Sequence, residues 1–457
     1  MSISQHHRQL LERHASRRKL LQGGAALGIA SLVPMSPAIT RAQDQITLDY
    51  WNWWDVSRTE LMDGIIATFQ QENPNIVVNN VPQTWDRRDE VVTTALSGGD
   101  PPEIIMASRQ EIVKFADSDA IVPITSYVET DGLDLTRYYD SEISSMWWND
   151  QLYSLPMPTA GGETGLTFYS KDLFTAAGLD PEKPPVTWDE LDQAAGVLTK
   201  RSADGAVDVL GTSMDFTAGG FLANLYCNGG SLYSEDLKTV TFNSEQGVET
   251  LQWMLDFAEK HYGGYQNLLD FTAQFTEGQQ PLLMGKTAFQ YQNVSMFFHI
   301  QTGDPTFNYG VGHRPYNSNN PAAKFQGVAG LTFGWGYIIP KGLDPAVEEA
   351  AYKFIRRITF EDAGACEFMV AQLRPSPLKD CNANPVFAEG NPYWDKVLTA
   401  LESDIPVGIV PPQSQVLALL MEYLELAAFG DIDAQGALDE SAAEAQALLD
   451  EYWSSVS

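Results

Sequence analysis

Ile46-Thr47-Leu48-Asp49-Tyr50-Trp51-Asn52-Trp53-Trp54-Asp55 begins with Ile46, Leu48 and Tyr50 on one face, the period-two alternation of a strand, and ends in aromatic and acidic residues. Ser57 and Glu60 then form a capping-box pattern, and Leu61, Ile65 and Phe69 share one helical face. Glu72-Asn73-Pro74-Asn75 stops that helix, and Ile76-Val77-Val78 is the next strand. A second helix, from about Arg87 to Leu96, ends at Gly98-Gly99, where a left-handed cap belongs. Asp100-Pro101-Pro102 leads into a third strand at Ile104-Ile105-Met106. This strand–helix alternation predicts a mostly parallel sheet covered by helices, because parallel neighbours need long crossovers.

The texture changes after Trp147-Trp148. Pro156-Met157-Pro158-Thr159-Ala160-Gly161-Gly162 has neither helical nor strand period and reads as a crossing between two units. Beyond it, Thr187 and Glu190 make a second capping box, with Leu191, Ala194, Ala195 and Leu198 facing inward. Val248, Leu251, Leu255 and Ala258 mark another helix. Asp344-Pro345 places a cap before a proline at the first helical position, and Val347, Ala351, Phe354 and Ile358 follow on one face. A last amphipathic helix spans Asp433 to Trp453.

At the N-terminus, Ser16-Arg17-Arg18-Lys19-Leu20-Leu21 precedes a weakly apolar stretch, Gly23 to Val33, and a small-residue exit at Thr40-Arg41-Ala42. The apolar stretch is about half the length of a membrane span. The order resembles a twin-arginine export signal, with an ordinary secretory signal as the alternative. Either predicts delivery across a bacterial inner membrane to the periplasm. The chain has 28 Lys and Arg against 60 Asp and Glu, a net charge of −32. That balance argues against nucleic acid and anionic membrane surfaces as partners. Of the three cysteines, Cys366 and Cys381 are spaced to pair across a short loop, and buried free thiols are the equal alternative for all three.

Several separated segments resemble one family. Gly285-Lys286-Thr287-Ala288-Phe289 enters a strand after a helix, as in extracellular solute-binding proteins of the maltose-binding type. The runs Phe168-Tyr169-Ser170-Lys171-Asp172-Leu173-Phe174 and Pro184-Pro185-Val186-Thr187-Trp188-Asp189-Glu190-Leu191 resemble that family too. So do Asn228-Gly229-Gly230 and Gly334-Trp335-Gly336-Tyr337-Ile338-Ile339-Pro340-Lys341. The resemblance implies an α/β, periplasmic-binding-protein-like fold: two α/β lobes joined by several hinge crossings, with a ligand cleft between them. It also implies presentation of the ligand to the permease of an ABC importer. The expected division is an export signal over 1–42, lobe 1 over 43–158 and 331–372, and lobe 2 over 159–330 and 373–457.

A sugar offers C–H faces and a rim of hydroxyls, so its site needs flat aromatics and polar side chains at the carboxyl ends of strands. Trp51, Trp53, Trp54 and Asp55 follow the first strand, and Arg109 and Gln110 follow the third. Arg109 is read either as a ligand contact or as the partner of a carboxylate. Glu163 and Thr164 lie just past the first crossing, where the family has a ligand-contacting acid. Phe216 and Asn224 stand near a helix start in the second unit, with a structural role as the alternative. Gln292 and Asn293 end the strand begun at Thr287. Trp335, between two glycines, offers a flat face or an inter-lobe packing surface. Arg374, in Arg374-Pro375-Ser376-Pro377, resembles the third crossing.

Catalytic signals are thin. HExxH, GxSxG and the phosphate-loop spacing are missing, and His261, His299 and His313 lack metal-ligand spacing. Together with the export signal, the resemblance implies a monomeric, non-enzymatic periplasmic receptor for a sugar or polyol, with no cofactor, no metal and no catalytic residues. Its rivals are a receptor for an anionic solute, such as a sugar acid or phosphorylated polyol, and a secreted glycoside hydrolase or lyase.

Overall fold

The computed structural model describes residues 45–456 apart from 85–87, 159–164, 204, 277 and 330–333. The export segment predicted over 1–42 lies outside the described residues. The first alternating unit contains β1 (Ile46–Asn52), α1 (Val56–Glu72), β2 (Ile76–Pro82), α2 (Arg88–Ser97), β3 (Ile104–Ser108) and α3 (Arg109–Asp117). The chain continues through β4 (Leu166–Ser170), α4 (Trp188–Leu198), β5 (Lys200–Arg201), β6 (Val207–Thr212), α5 (Ala218–Tyr226) and α6 (Glu245–Tyr262). Then follow β7 (Thr287–Tyr291), α7 (Ser295–Gly303), β8 (Tyr309–His313), β9 (Trp335–Ile338), α8 (Pro345–Thr359), α9 (Gln413–Phe429) and α10 (Ala434–Val456).

Two sheets organise these elements. The first has the order β9-β3-β1-β2. Its β1 runs parallel to β2, Ile46 opposite Ile76 through Asn52 opposite Pro82, and parallel to β3. All five residues of β3 are buried, as expected of a strand covered on both faces. The late strand β9 joins antiparallel, Trp335 opposite Ser108, so this sheet draws on two distant parts of the chain. The second sheet, β8-β4-β7-β6-β5, is parallel only between β6 and β7. Its other pairings are antiparallel.

Local chemistry explains most element ends. Thr187 and Glu190 form the expected capping box at α4, and Ser108 with Glu111 forms another at α3. At α1 the structure corrects the expectation. The cap is Asp55 rather than Ser57, because the Asp55 carboxylate accepts from the backbone N–H of Arg58, the third helical residue. One apolar core gathers around Leu48, Tyr50, Ile105, Tyr337 and Phe354 and continues beneath Phe168 and Val311. A second core centres on Leu210, Phe221, Leu251, Phe289 and Leu438.

The chain leaves the first unit along the edge strand β9. Met157 N–H donates to the Trp335 carbonyl at 3.0 Å, and the Ser154 hydroxyl donates to the Tyr337 carbonyl at 2.9 Å. This close approach requires glycine at 336, because a Cβ there would stand 2.2 Å from Ser154 Oγ. Cys366 and Cys381 form a disulfide, and Cys227 is a buried free thiol. No helix among the described residues is long and apolar enough to cross a membrane.

Candidate ligand site

The carboxyl ends of β1 and β3 carry the first group of predicted contacts, and the structure separates them sharply. Trp51 remains half-buried on β1. Trp53 is also half-buried, with its indole N–H donating to the Met106 carbonyl at 2.9 Å. Trp54 is a core residue, contrary to expectation. Its indole N–H reaches the Tyr50 hydroxyl at 3.1 Å, and its ring packs on Phe368 with centroids 5.1 Å apart. With only 7% of its surface exposed, Trp54 offers no open face to a sugar. Asp55 is exposed but serves α1, capping it and pairing with Arg58 at 3.3 Å.

Arg109 is the clearest correction. Its side chain is wholly buried and ion-paired with the equally buried Glu142, so it does not reach a cleft. Nη1 also donates to the Ser141 carbonyl at 2.8 Å and the Ser145 hydroxyl at 2.7 Å. Of the two readings of Arg109, the carboxylate partner prevails, inside the core rather than on the surface. Its neighbour Gln110 is half-buried at the first turn of α3. Trp335 is 8% exposed, and the Arg88 guanidinium lies over its ring at 4.8 Å. Arg88 is itself 3.5 Å from the Glu111 carboxylate, so the flat face of Trp335 is already occupied.

In the second unit, Phe216 is buried with its ring edge-on to Tyr265, centroids 5.1 Å apart. Asn224 is 1% exposed and accepts a hydrogen bond from Arg314 at 2.9 Å. Asn224 belongs to packing, whereas Phe216 packs on Tyr265 and also lines a cavity beside it. Asn293 and Gln292 are half-buried beyond β7. The Asn293 side chain accepts from the backbone N–H of Ser295 at 2.9 Å, turning the chain into α7. Glu163 and Thr164 lie outside the described residues. A cavity of about 320 Å³ opens near the carboxyl ends of β6 and β7, lined by Asp215, Thr217, Tyr265, Gln290 and Tyr291. The Gln290 side-chain Oε1 and the Tyr291 hydroxyl are buried there without hydrogen-bond partners, a cost that a polar solute or water relieves. A larger space of about 710 Å³ lies between α3 with the Trp147-Trp148 segment and the stretches around Tyr233 and Val407.

Around α1, α7 and the segment at Gln372, the structure assembles residues that the sequence reading did not join. Arg58 of α1 donates from Nε to the Gln372 side chain at 3.0 Å, and its guanidinium stands 5.4 Å from the Phe298 ring of α7. His299 follows on the same helix. Its pKa lies below the usual histidine value, through burial first and then through Arg58 and Arg374, with Asp55 opposing. Burial likewise lowers Arg58, against the pull of Asp55. Arg374, read from the sequence as part of the third crossing, is 8% exposed. The Asp55–Arg58 spacing was a readable signal for part of this cluster. Phe298, His299 and Gln372 carried none.

With this geometry in place, comparison with known proteins gives the family. The pattern of bacterial extracellular solute-binding proteins matches residues 55–365. This chain belongs to that family. Among curated relatives, the sn-glycerol-3-phosphate-binding periplasmic protein of Escherichia coli K12 is 23% identical over 342 residues, 72% of each chain. Among solved structures, the ABC substrate-binding protein Lmo0181 of Listeria monocytogenes, in complex with cycloalternan, has 22% identity and a TM-score of 0.74. It covers 89% of this chain and all of its own. The maltose-bound MalE3 of T. maritima has 21% identity and a TM-score of 0.73, covering 88% of this chain and 99% of its own. The family fold of two α/β lobes is therefore the fold of this protein.

Proposed function

We propose that this protein is the periplasmic receptor of an ABC importer, binding a carbohydrate or polyol between its lobes and releasing it unchanged to a membrane permease. The lobe division that goes with this reading is 43–158 with 331–372 against 159–330 with 373–457. The observation that carries the reading is the contact of Arg58, which this division assigns to the first lobe and Gln372 holds in place, with the Phe298 ring of α7, which it assigns to the second. A solute touching both sides favours the arrangement in which they are close, so binding shifts the population toward closure. The similar structures hold cycloalternan and maltose, and the curated relative is a glycerol-phosphate receptor, all polyhydroxylated solutes. In this reading Glu163, past the first crossing, accepts hydrogen bonds from adjacent solute hydroxyls. The protein acts as a monomer and performs no chemistry on the solute.

The test is a thermal-shift panel of neutral sugars, polyols, sugar acids and sugar phosphates. A solute bound only by the folded state, at one hundred times its Kd, adds about 2.7 kcal/mol of stability. At least one class is expected to raise the melting temperature with a dose dependence. A flat response to every class would refute the receptor reading.

A further inference from the structure

The space of about 710 Å³ beside α3 has a lining with its own chemistry. Trp147, Trp148, Tyr226 and Tyr233 supply four aromatic side chains, and Glu235 supplies a carboxylate. None of the described residues that line it is Lys, Arg or His. Trp147 keeps 37% of its surface exposed, and Glu235 is exposed as well. The Tyr233 hydroxyl is buried without a hydrogen-bond partner, so its oxygen lone pairs are unpaired in this wall. Both walls are tied in place by consecutive residues of α10. The Trp148 indole N–H donates to Asp117 Oδ1 at 3.1 Å, and the Tyr452 hydroxyl donates to the same oxygen at 2.8 Å. Trp453 donates from its indole N–H to the carbonyl of Leu237, which lines the facing wall, at 3.1 Å. Asp117 is the last residue of α3, so Trp148 is anchored about 12 Å along that helix from the carboxyl end of β3.

We propose that this cavity is a second binding site, one that takes a small organic cation, either a quaternary ammonium or a protonated amine. The site is separate from the solute contacts of the receptor reading and does not depend on them. The face of an aromatic ring carries the negative part of its quadrupole and attracts a cation, tryptophan most strongly. Glu235 adds a counter-charge, and the net charge of −32 raises the concentration of cations around the protein. A solute carboxylate or phosphate finds no basic partner in this lining, so anions and zwitterions are disfavoured. The methyl or methylene groups of an organic cation suit the apolar surface of Leu237, Val407 and Ile409. Because α10 ties both walls without an occupant, little ordering remains to be done on binding.

The experiment is calorimetric titration of the wild-type protein with matched pairs: choline against its uncharged isostere dimethylbutanol, and putrescine against butanediol. The cation of at least one pair is expected to bind about tenfold more tightly than its uncharged counterpart, or better. Choline is also expected to bind more tightly than glycine betaine, whose carboxylate has no partner in the lining. The two pairs tell a quaternary ammonium site from an amine site. Trp147→Ala and Glu235→Gln are each expected to weaken the cation about threefold or more, with the urea midpoint unchanged. Should Trp147→Ala fold poorly, Glu235→Gln changes only an exposed carboxylate and still decides. Equal affinity within both pairs would overturn the proposal. So would the lack of any binding heat with either cation at millimolar concentration. Cation binding that is unchanged in both variants would place the cation elsewhere and overturn it too. Each of these results leaves the receptor reading standing, because that reading is tested by the sugar and polyol panel.

Discussion

Glu142→Ala is expected to lower the unfolding free energy by about 3–5 kcal/mol, the usual cost of removing one partner from a buried ion pair. The Arg109 and Glu142 side chains are both fully withdrawn from solvent. Without Glu142, the guanidinium keeps the Ser141 carbonyl and the Ser145 hydroxyl but loses its counter-charge. A bare cation in the core costs more than the missing hydrogen bond alone. The double substitution Arg109→Met with Glu142→Leu should recover most of the loss, because an apolar pair of similar volume carries no desolvation penalty. Urea unfolding followed by circular dichroism measures both variants. A midpoint unchanged in Glu142→Ala would mean that water reaches the pair. Solute affinity of the refolded double variant should match wild type, which separates this structural role from the ligand role expected of Arg109.

Removing the disulfide is the second large effect. Cys366 and Cys381 are 15 residues apart, and closing a loop of that length restricts the unfolded chain by about 3 kcal/mol in the chain-entropy account. The bridge joins the short helical stretch after α8 to the turn that follows Arg374, next to the segment that holds Gln372. The double variant Cys366→Ser, Cys381→Ser is expected to unfold at clearly lower urea, and dithiothreitol should have the same effect on the wild type. Cys227 is buried and unbridged, so Cys227→Ser should leave the reductant sensitivity in place. Equal urea midpoints for oxidised and reduced wild type would contradict this account.

The sequence disclosed what is decided locally. The period-two run at Ile46 to Tyr50, the stop at Pro74 and the Thr187–Glu190 box each contain their own cause within a few residues, and each appears where expected. The family resemblance marked the segment around Trp335 but not its antiparallel pairing with β3, which joins residues more than 200 positions apart. The site was less legible, because a side chain's role depends on partners far along the chain. Arg109 looks like a loop cation until Glu142, 33 residues later, is folded against it. Trp335 looks like an open platform until Arg88 covers it. Trp54 was closer to readable, since the Tyr50 hydroxyl that takes its indole N–H lies four residues away. Apart from its spacing from Asp55, Arg58 carried no sequence signal of its own. Only the approach of Phe298 and Gln372, 240 and 314 positions later, gives it a task.

As proposed above, this protein holds one small polyhydroxylated solute and releases it unchanged. Native mass spectrometry of the protein equilibrated with the most stabilising member of the solute panel tests it most directly. The expected result is a mass increase equal to one intact solute per chain, saturating at one-to-one. A complex carrying a cleaved fragment of the solute, or no bound mass at saturating solute, would contradict it.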